Sequence, residues 1–418
     1  AEQLLHSAVH LAEELGDVHG RGEARRLVGM SRLFAGADRE AAEPIAAALA
    51  DFEAAGDRRG EAWALQNLAW IAFTTGQVAQ AEGRLDRAGA VFAELGDRGG
   101  TSWTDGLLAF VRFQQGRLAE ALELGERVLR ESLRRGEVWA EAMMLVVTGA
   151  VHLWQGRTAE GSALLDRSVD RFEQLGEVGG LQQSLGAAGR AKVMLGDLAG
   201  GRLLLARSAA LLGERHAASG LGAFAALAEV ILAVQIGDLD ALREAPSLAG
   251  DGTEDEQLLG GTELALMVGL ALAQLGRIET AESMVLSALE RDPGNGLGQG
   301  VAAMLAAATG DREGVHRHAG QVIANPRATY LDRVYGWLAI GLNSPDEAAA
   351  AWESARRELS ATGDVLAVAC LMSAEAVSAR VRGLSGWEEL ERDASARWKE
   401  LGVHPAGWLS LFERCQSG

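Results

Sequence analysis

The chain has 418 residues, 48% of them hydrophobic, enough to bury a large core as two or three globular domains or as one extended array. Its formal net charge of −19 opposes direct binding to nucleic acid or to an anionic membrane, because such contacts neutralise phosphates with a basic patch. Cys370 and Cys415 have no paired spacing, which suits a reducing compartment and points to the cytoplasm, and no apolar run approaches the length of a membrane span.

Alanine, leucine, glutamate and arginine dominate, aromatics make up 5%, and six prolines leave long stretches without a helix breaker. The expected class is all-α. Of the basic residues only Lys192 and Lys399 are lysine, a bias expected of a GC-rich, actinobacterial genome. The 53 glycines are many for a helical chain, so they must recur at helix ends or at close helix crossings.

In chain order, the start lacks the basic-then-apolar pattern of a signal peptide. Residues 1 to 15, with Leu4, Leu5, Ala8, Val9, Ala12 and Leu15 on one face, read as the second helix of a hairpin whose first helix is missing. Such a face needs a partner, so the expectation is a chain that continues upstream. Two glycine series follow. One runs Gly36, Gly76, Gly116, Gly156, Gly196, Gly237, Gly276 and Gly310, stepping by about 40 residues and by 34 at its end. The other comprises Gly16-Asp17, Gly56-Asp57, Gly96-Asp97, Gly136-Glu137 and Gly176-Glu177, half a period away. Interleaved turns mean two helices per repeat, glycine ending one helix and Asp or Glu starting the next.

The spacing predicts first helices near 22–35, 60–75, 100–115, 140–155, 180–195, 219–236, 259–275, 296–309, 328–342 and 365–382, each followed by a second helix. Leu65, Leu68, Ala69 and Ala72 mark the face of one first helix; Ala81, Leu85, Ala88 and Phe92 mark that of its partner. Pro44 sits inside a predicted second helix, where it either kinks the helix or marks a later start. The expected organisation is a 40-residue-repeat array over 1–238, an irregular joint over 239–258, a shorter-repeat array over 259–403, and a capping helix and tail over 404–418. The joint rests on Pro246 and on Gly250-Asp251-Gly252-Thr253-Glu254-Asp255-Glu256; the cap rests on Trp408, Leu409, Leu411 and Phe412.

These units resemble the tetratricopeptide repeat, with Gly269, Gly276, Ala281, Ala288 and Pro293 the clearest register. The resemblance covers nearly the whole chain and implies a superhelical solenoid of about ten helical hairpins. It says little of function, since one fold hosts many roles.

Chemistry-bearing motifs are not found. Neither lysine stands in a P-loop, no histidine precedes a glutamate as in zinc proteases, and no nucleophile elbow occurs. His6 with His10, and His316 with His318, lack a third ligand and read as solvated helix histidines. Glu254-Asp255-Glu256 lacks the alternation of a calcium loop, and Gly294 to Gly300 follows a helix rather than a strand. A non-catalytic protein without cofactor or metal is expected.

In tetratricopeptide arrays the concave face is lined by particular positions of the first helix. Carried over, these are Trp63, Trp70 and Phe73, then Trp103, Phe110 and Phe113, then Met143, Leu153 and Trp154. Trp63 with Trp103, Trp70 with Phe110 and Phe73 with Phe113 stand 40 apart and are expected to stack. Two readings stay open: a groove for a peptide, helix or neighbouring domain, or aromatics that fill space between long helices. Arg26 and Arg190 lie on equivalent faces and would flank an acidic partner.

The degenerate repeats with LGD-type turns also resemble the C-terminal arrays of large bacterial ATP-binding transcriptional regulators and signalling proteins. That implies a regulatory or sensor part whose partner is a protein or peptide, the upstream domains of the same polypeptide included. A freestanding scaffold or adaptor, or a solenoid enclosing a peptide or small molecule, is the alternative.

Overall fold

The computed structural model describes residues 2–35, 37–211, 220–248 and 261–417. Among these residues there are 22 α-helices and no strand. A single helix, α1 (Glu2–Leu15), precedes ten antiparallel pairs. The pairs are α2 (Val18–Phe34) with α3 (Asp38–Ala55), α4 (Arg58–Thr74) with α5 (Val78–Glu94), and α6 (Arg98–Gln114) with α7 (Leu118–Arg135). Next come α8 (Val138–Trp154) with α9 (Thr158–Leu175), α10 (Val178–Met194) with α11 (Leu198–Leu211), and α12 (Gly220–Ile236) with α13 (Leu239–Leu248). The last are α14 (Gly261–Gln274) with α15 (Ile278–Arg291), α16 (Gly296–Ala308) with α17 (Arg312–Ala324), α18 (Tyr330–Asn343) with α19 (Ala348–Leu359), and α20 (Val365–Val381) with α21 (Trp387–Glu400). Helix α22 (Ala406–Ser417) ends the chain. The chain is an all-α, tetratricopeptide-like solenoid. None of these helices is long and apolar enough to cross a membrane.

A Gly-Asp or Gly-Glu dipeptide stands between α1 and α2, α3 and α4, α5 and α6, α7 and α8, α9 and α10, and α19 and α20. After α3, Gly56 takes φ +67°, its N–H donates to Glu53 O and the next N–H, of Asp57, donates to Phe52 O. Two carbonyls left over at the helix end are thereby satisfied. The Asp57 carboxylate then accepts from Gly60 N at 3.0 Å and caps α4. Asp97 does the same for α6, and Glu177 for α10. A further glycine is needed in the first turn: a Cβ on Gly60, Gly100 or Gly180 would lie 2.2–2.4 Å from the ring of Phe52, Phe92 or Phe172, each fully buried.

Pro44 lies inside an unbroken α3. Its missing N–H leaves the Glu40 carbonyl, one turn back, without a helical donor, and Arg32 Nη1 fills that place at 2.9 Å. Residues 239–248 of the expected joint form α13, with Pro246 inside it. The acidic stretch Gly250 to Glu256 lies outside the described residues. The glycines between 294 and 300 serve packing, since a Cβ on Gly300 would meet the Asp332 carbonyl at 2.8 Å.

Even-numbered helices touch one another from α2 through α20, whereas successive odd-numbered helices make no comparable contact. The even helices therefore form the inner face of a curved array. The curvature carries the C-terminal repeats back onto the middle ones, so that α20 touches α10 and α12. The seam runs along the left-handed glycines that follow even helices. Gly116 meets Arg327, Gly156 meets Thr362 and Tyr330, Gly196 meets Val365 and Leu401, and Gly237 meets Pro405 and Trp408. At its centre, Thr158 Oγ1 donates to Thr362 O at 2.6 Å, both residues buried. The glycines after odd helices, such as Gly56, Gly96, Gly136 and Gly176, face open space instead.

The two series therefore differ in what they tolerate. Gly136→Ala is expected to cost about 1 kcal/mol, the strain of a side chain in left-handed backbone. Gly156→Ala should cost at least about 2 kcal/mol, because its Cβ would also lie 2.8 Å from Thr362 Cγ2. Thermal midpoints of the two variants compare them; equal losses would contradict the seam.

Candidate binding surface

The nine candidate residues divide by burial. Phe73, Met143 and Leu153 are 6%, 4% and 4% exposed and belong to the core. An even helix inside the array is packed by its own partner and by neighbours on both sides, which leaves only a narrow free stripe. Trp63, Trp70, Phe110, Phe113 and Trp154 are half-buried, and Trp103 is 41% exposed.

The rings do not pair at the expected 40-residue spacing. Trp103 stacks on Trp139 with centroids 4.8 Å apart, Phe73 meets Phe110 at 6.1 Å, Phe113 meets Trp154 at 5.6 Å, and Trp63 meets Phe92 at 5.0 Å. Trp139 and Phe110 each stand one helical turn before the position the repeat would assign. Phe113 and Trp154, by contrast, stand 41 residues apart, so the sequence offset between touching rings varies along the stripe and a constant one misses the contacts. Trp139, absent from the sequence-based set, completes the most exposed part of the surface.

Trp70, Trp103, Phe110, Trp139, Met143 and Met144 line a hollow of about 30 Å³, together with the buried Gln66 and the partly exposed Ser102 and Glu137. That is room for about one water, so this is a shallow platform rather than an enclosing pocket. Trp63 and Trp70 lie toward one end of the stripe and Trp154 toward the other. Beside Trp154 a cleft of about 470 Å³ opens between the α6–α7 turn and the start of α18, with Arg117, Glu120, Tyr330 and Arg333 among its walls.

Trp154 also marks where the inner face closes. The Arg190 guanidinium lies over its ring, 5.2 Å from the centroid, and its Nη1 stands 3.8 Å from Glu263 Oε1. Behind them, Asp332 accepts from the Thr329 N–H at 2.8 Å, and the Tyr330 hydroxyl donates to Asp364 Oδ2 at 2.8 Å. Burial raises the pKa of the Glu263, Asp332 and Asp364 carboxyls, and Arg190 pulls each back down. The acidic partner expected for Arg190 is thus the chain itself, brought from α14, α18 and α20 by the curvature. Arg26 pairs with Glu23 on its own helix.

Beyond Arg190 the inner face is filled by α22, which packs on α14, α16, α18 and α20. Trp408 donates from Nε1 to Gln235 O at 3.1 Å, and Gly407 N donates to Gly237 O at 2.9 Å. The terminal helix thus runs inside the array as well as covering its end. The remaining histidine candidates engage locally: His10 with Glu14, His316 with Glu347 and His318 with Gln299. Cys370 and Cys415 are buried and free, and the Cys415 thiol is pushed up to about 12 by burial.

No family model and no curated protein matches the chain. Solved structures of similar shape include a monomeric IFIT1 mutant with Gppp-AAAA, at 11% identity and a TM-score of 0.49, covering 100% of this chain and 95% of that one. Another is a monomeric IFIT1 mutant with m7Gppp-AAAA, at 11% identity and a TM-score of 0.46, covering 96% and 95%.

Burial raises the Asp332 carboxyl to about 6, against the pull of Thr329, Arg190 and Arg333. A carboxyl raised on folding adds stability that is full below the ordinary carboxylate range and is lost as pH rises through about 6. Relative to Asp332→Asn, the wild-type melting temperature should therefore fall between about pH 4 and pH 6.5 and level off above that. A difference that stays constant over that range would show that Asp332 does not titrate there.

Proposed function

We propose that this chain is a non-catalytic binding array that takes a protein or peptide partner on the aromatic stripe of α4, α6 and α8. The stack of exposed Trp103 on half-buried Trp139 carries this reading: two large rings placed side by side on an inner face supply contact area at low entropic cost. The shallowness of the hollow favours a macromolecular partner over an enclosed small molecule. The cleft beside Trp154 is where a small ligand would fit, and its volume supports that second reading. Nucleic acid is not the partner we propose, since the formal charge is −19.

In this proposal the array is the regulatory or sensor part of a larger bacterial ATP-dependent signalling or transcriptional regulator in the cytoplasm. Support comes from the resemblance of its arginine-rich repeats and LGD-type turns to such arrays. A freestanding adaptor is the alternative. The organisation into a longer-repeat array, a joint near 239–258 and a shorter-repeat array remains part of the same proposal.

A photo-crosslinking residue at Trp103 should trap a partner in native cells, whereas one at Arg130, on the outer helix α7, should not. Trp103→Ala should abolish partner capture at a stability loss under about 1 kcal/mol. Phe73→Ala, in the core, should cost about 3–5 kcal/mol. Adducts from position 130 in place of 103, or a core-sized loss for Trp103→Ala, would overturn the assignment.

A further inference from the structure

The inner face already holds one ligand, supplied by the chain itself. Trp408, Leu411, Phe412 and Cys415 of α22 are 2%, 0%, 0% and 2% exposed, at positions i, i+3, i+4 and i+7 of one helical stripe. Their floor is built by even helices. Tyr335 and Leu338 of α18, with Leu366 and Cys370 of α20, surround Trp408, and Cys415 Sγ reaches the Met304 carbonyl of α16. The C-terminal half of the inner face is thus a receptor for an amphipathic helix, occupied in cis.

The N-terminal half continues the same surface. Even helices supply both halves, and the two meet where Trp154 and Arg190 adjoin Tyr330 and Asp332. The two floors differ in size. Under α22 the floor is mostly aliphatic and the ligand brings the large rings. On α4, α6 and α8 the floor itself carries Trp70, Trp103, Phe110 and Trp139. Close packing requires large side chains to face smaller ones, so the complementary ligand carries aliphatic anchors.

We infer that the open half of the inner face binds an amphipathic helix of a partner protein, with leucine, isoleucine or methionine anchors at i, i+3, i+4 and i+7. This rests on the reading of the stripe as a partner site and names the class of partner. A helix satisfies its own backbone hydrogen bonds, which suits a floor of rings that offers few polar partners. The partly exposed Ser102 and Glu137 at the edge face the helix's polar flank.

The test uses the full chain and two displayed peptide libraries, one with apolar residues at helical spacing and one alternating with proline interspersed. Each is selected against wild type and against the Trp103→Ser/Trp139→Ser variant, whose fold is checked by circular dichroism and thermal midpoint. The expected result is enrichment from the helical library alone, aliphatic anchors at the stated spacing, and at least tenfold weaker binding to the variant. A rise in helicity on binding should accompany it. Enrichment from the extended library, with binding still lost in the variant, overturns the helical inference and leaves the partner site standing. Binders unaffected by the double substitution, or no enrichment from either library, overturn both. Self-association of the chain that blocks selection and is lost in the variant would make a second copy the occupant, again against the inference.

Discussion

The left-handed glycine that follows α4, α6, α8, α10, α12, α14, α16 and α20 is the constraint on which the rest depends. It lets the chain reverse within a few residues, so two helices of similar length lie antiparallel in each unit. It also leaves the turn without a side chain on its outer surface. Where the array curves back, those bare turns are what the later repeats rest on: Thr362 against Gly156, Val365 against Gly196, Trp408 against Gly237. A local conformational need and a long-range packing need are met by the same residue. That is why the series after odd helices, which meets the first need only, opens on empty space.

Closure at the seam divides the inner face into two parts with different chemistry. On the C-terminal side the even helices enclose α22, and two of the polar groups buried there are paired, Tyr330 with Asp364 and Trp408 with a backbone carbonyl. On the N-terminal side the stripe from Trp70 to Trp154 stays open. Between them stands Arg190, one cation facing three carboxylates drawn from distant parts of the chain. Such a cluster stabilises little by itself, since desolvation offsets much of the Coulombic gain. It gathers charged groups of α10, α14, α18 and the start of α20 at the point where the array closes.

Much of this was legible in the sequence because helix ends are local events. Gly-Asp turns set the period, and the period sets the pairing of helices and the face each presents. The neighbours of that face are not local. Trp139 escaped a reading based on 40-residue steps because the ring it stacks on, Trp103, stands 36 residues away. Arg190 showed as a cation on an inner face, yet Glu263, Asp332 and Asp364 approach it only through the curvature of the whole array. The apolar stripe of α22 was plain, and it read as an end cap because nothing short-range shows that the end turns inward. Pro44 is the same lesson in miniature: the helix persists because Arg32, from the preceding helix, supplies the missing donor.

The central claim is that the C-terminal repeats close onto the inner turns of the middle repeats. Ala119 and Pro326 are exposed, far apart in sequence, and line the same cleft. Spin labels on cysteines placed at these two positions, with Cys370 and Cys415 buried, report the closure directly. A single narrow distribution at short distance is the result expected. A broad distribution, or one centred at the long separation of an open solenoid, would contradict it.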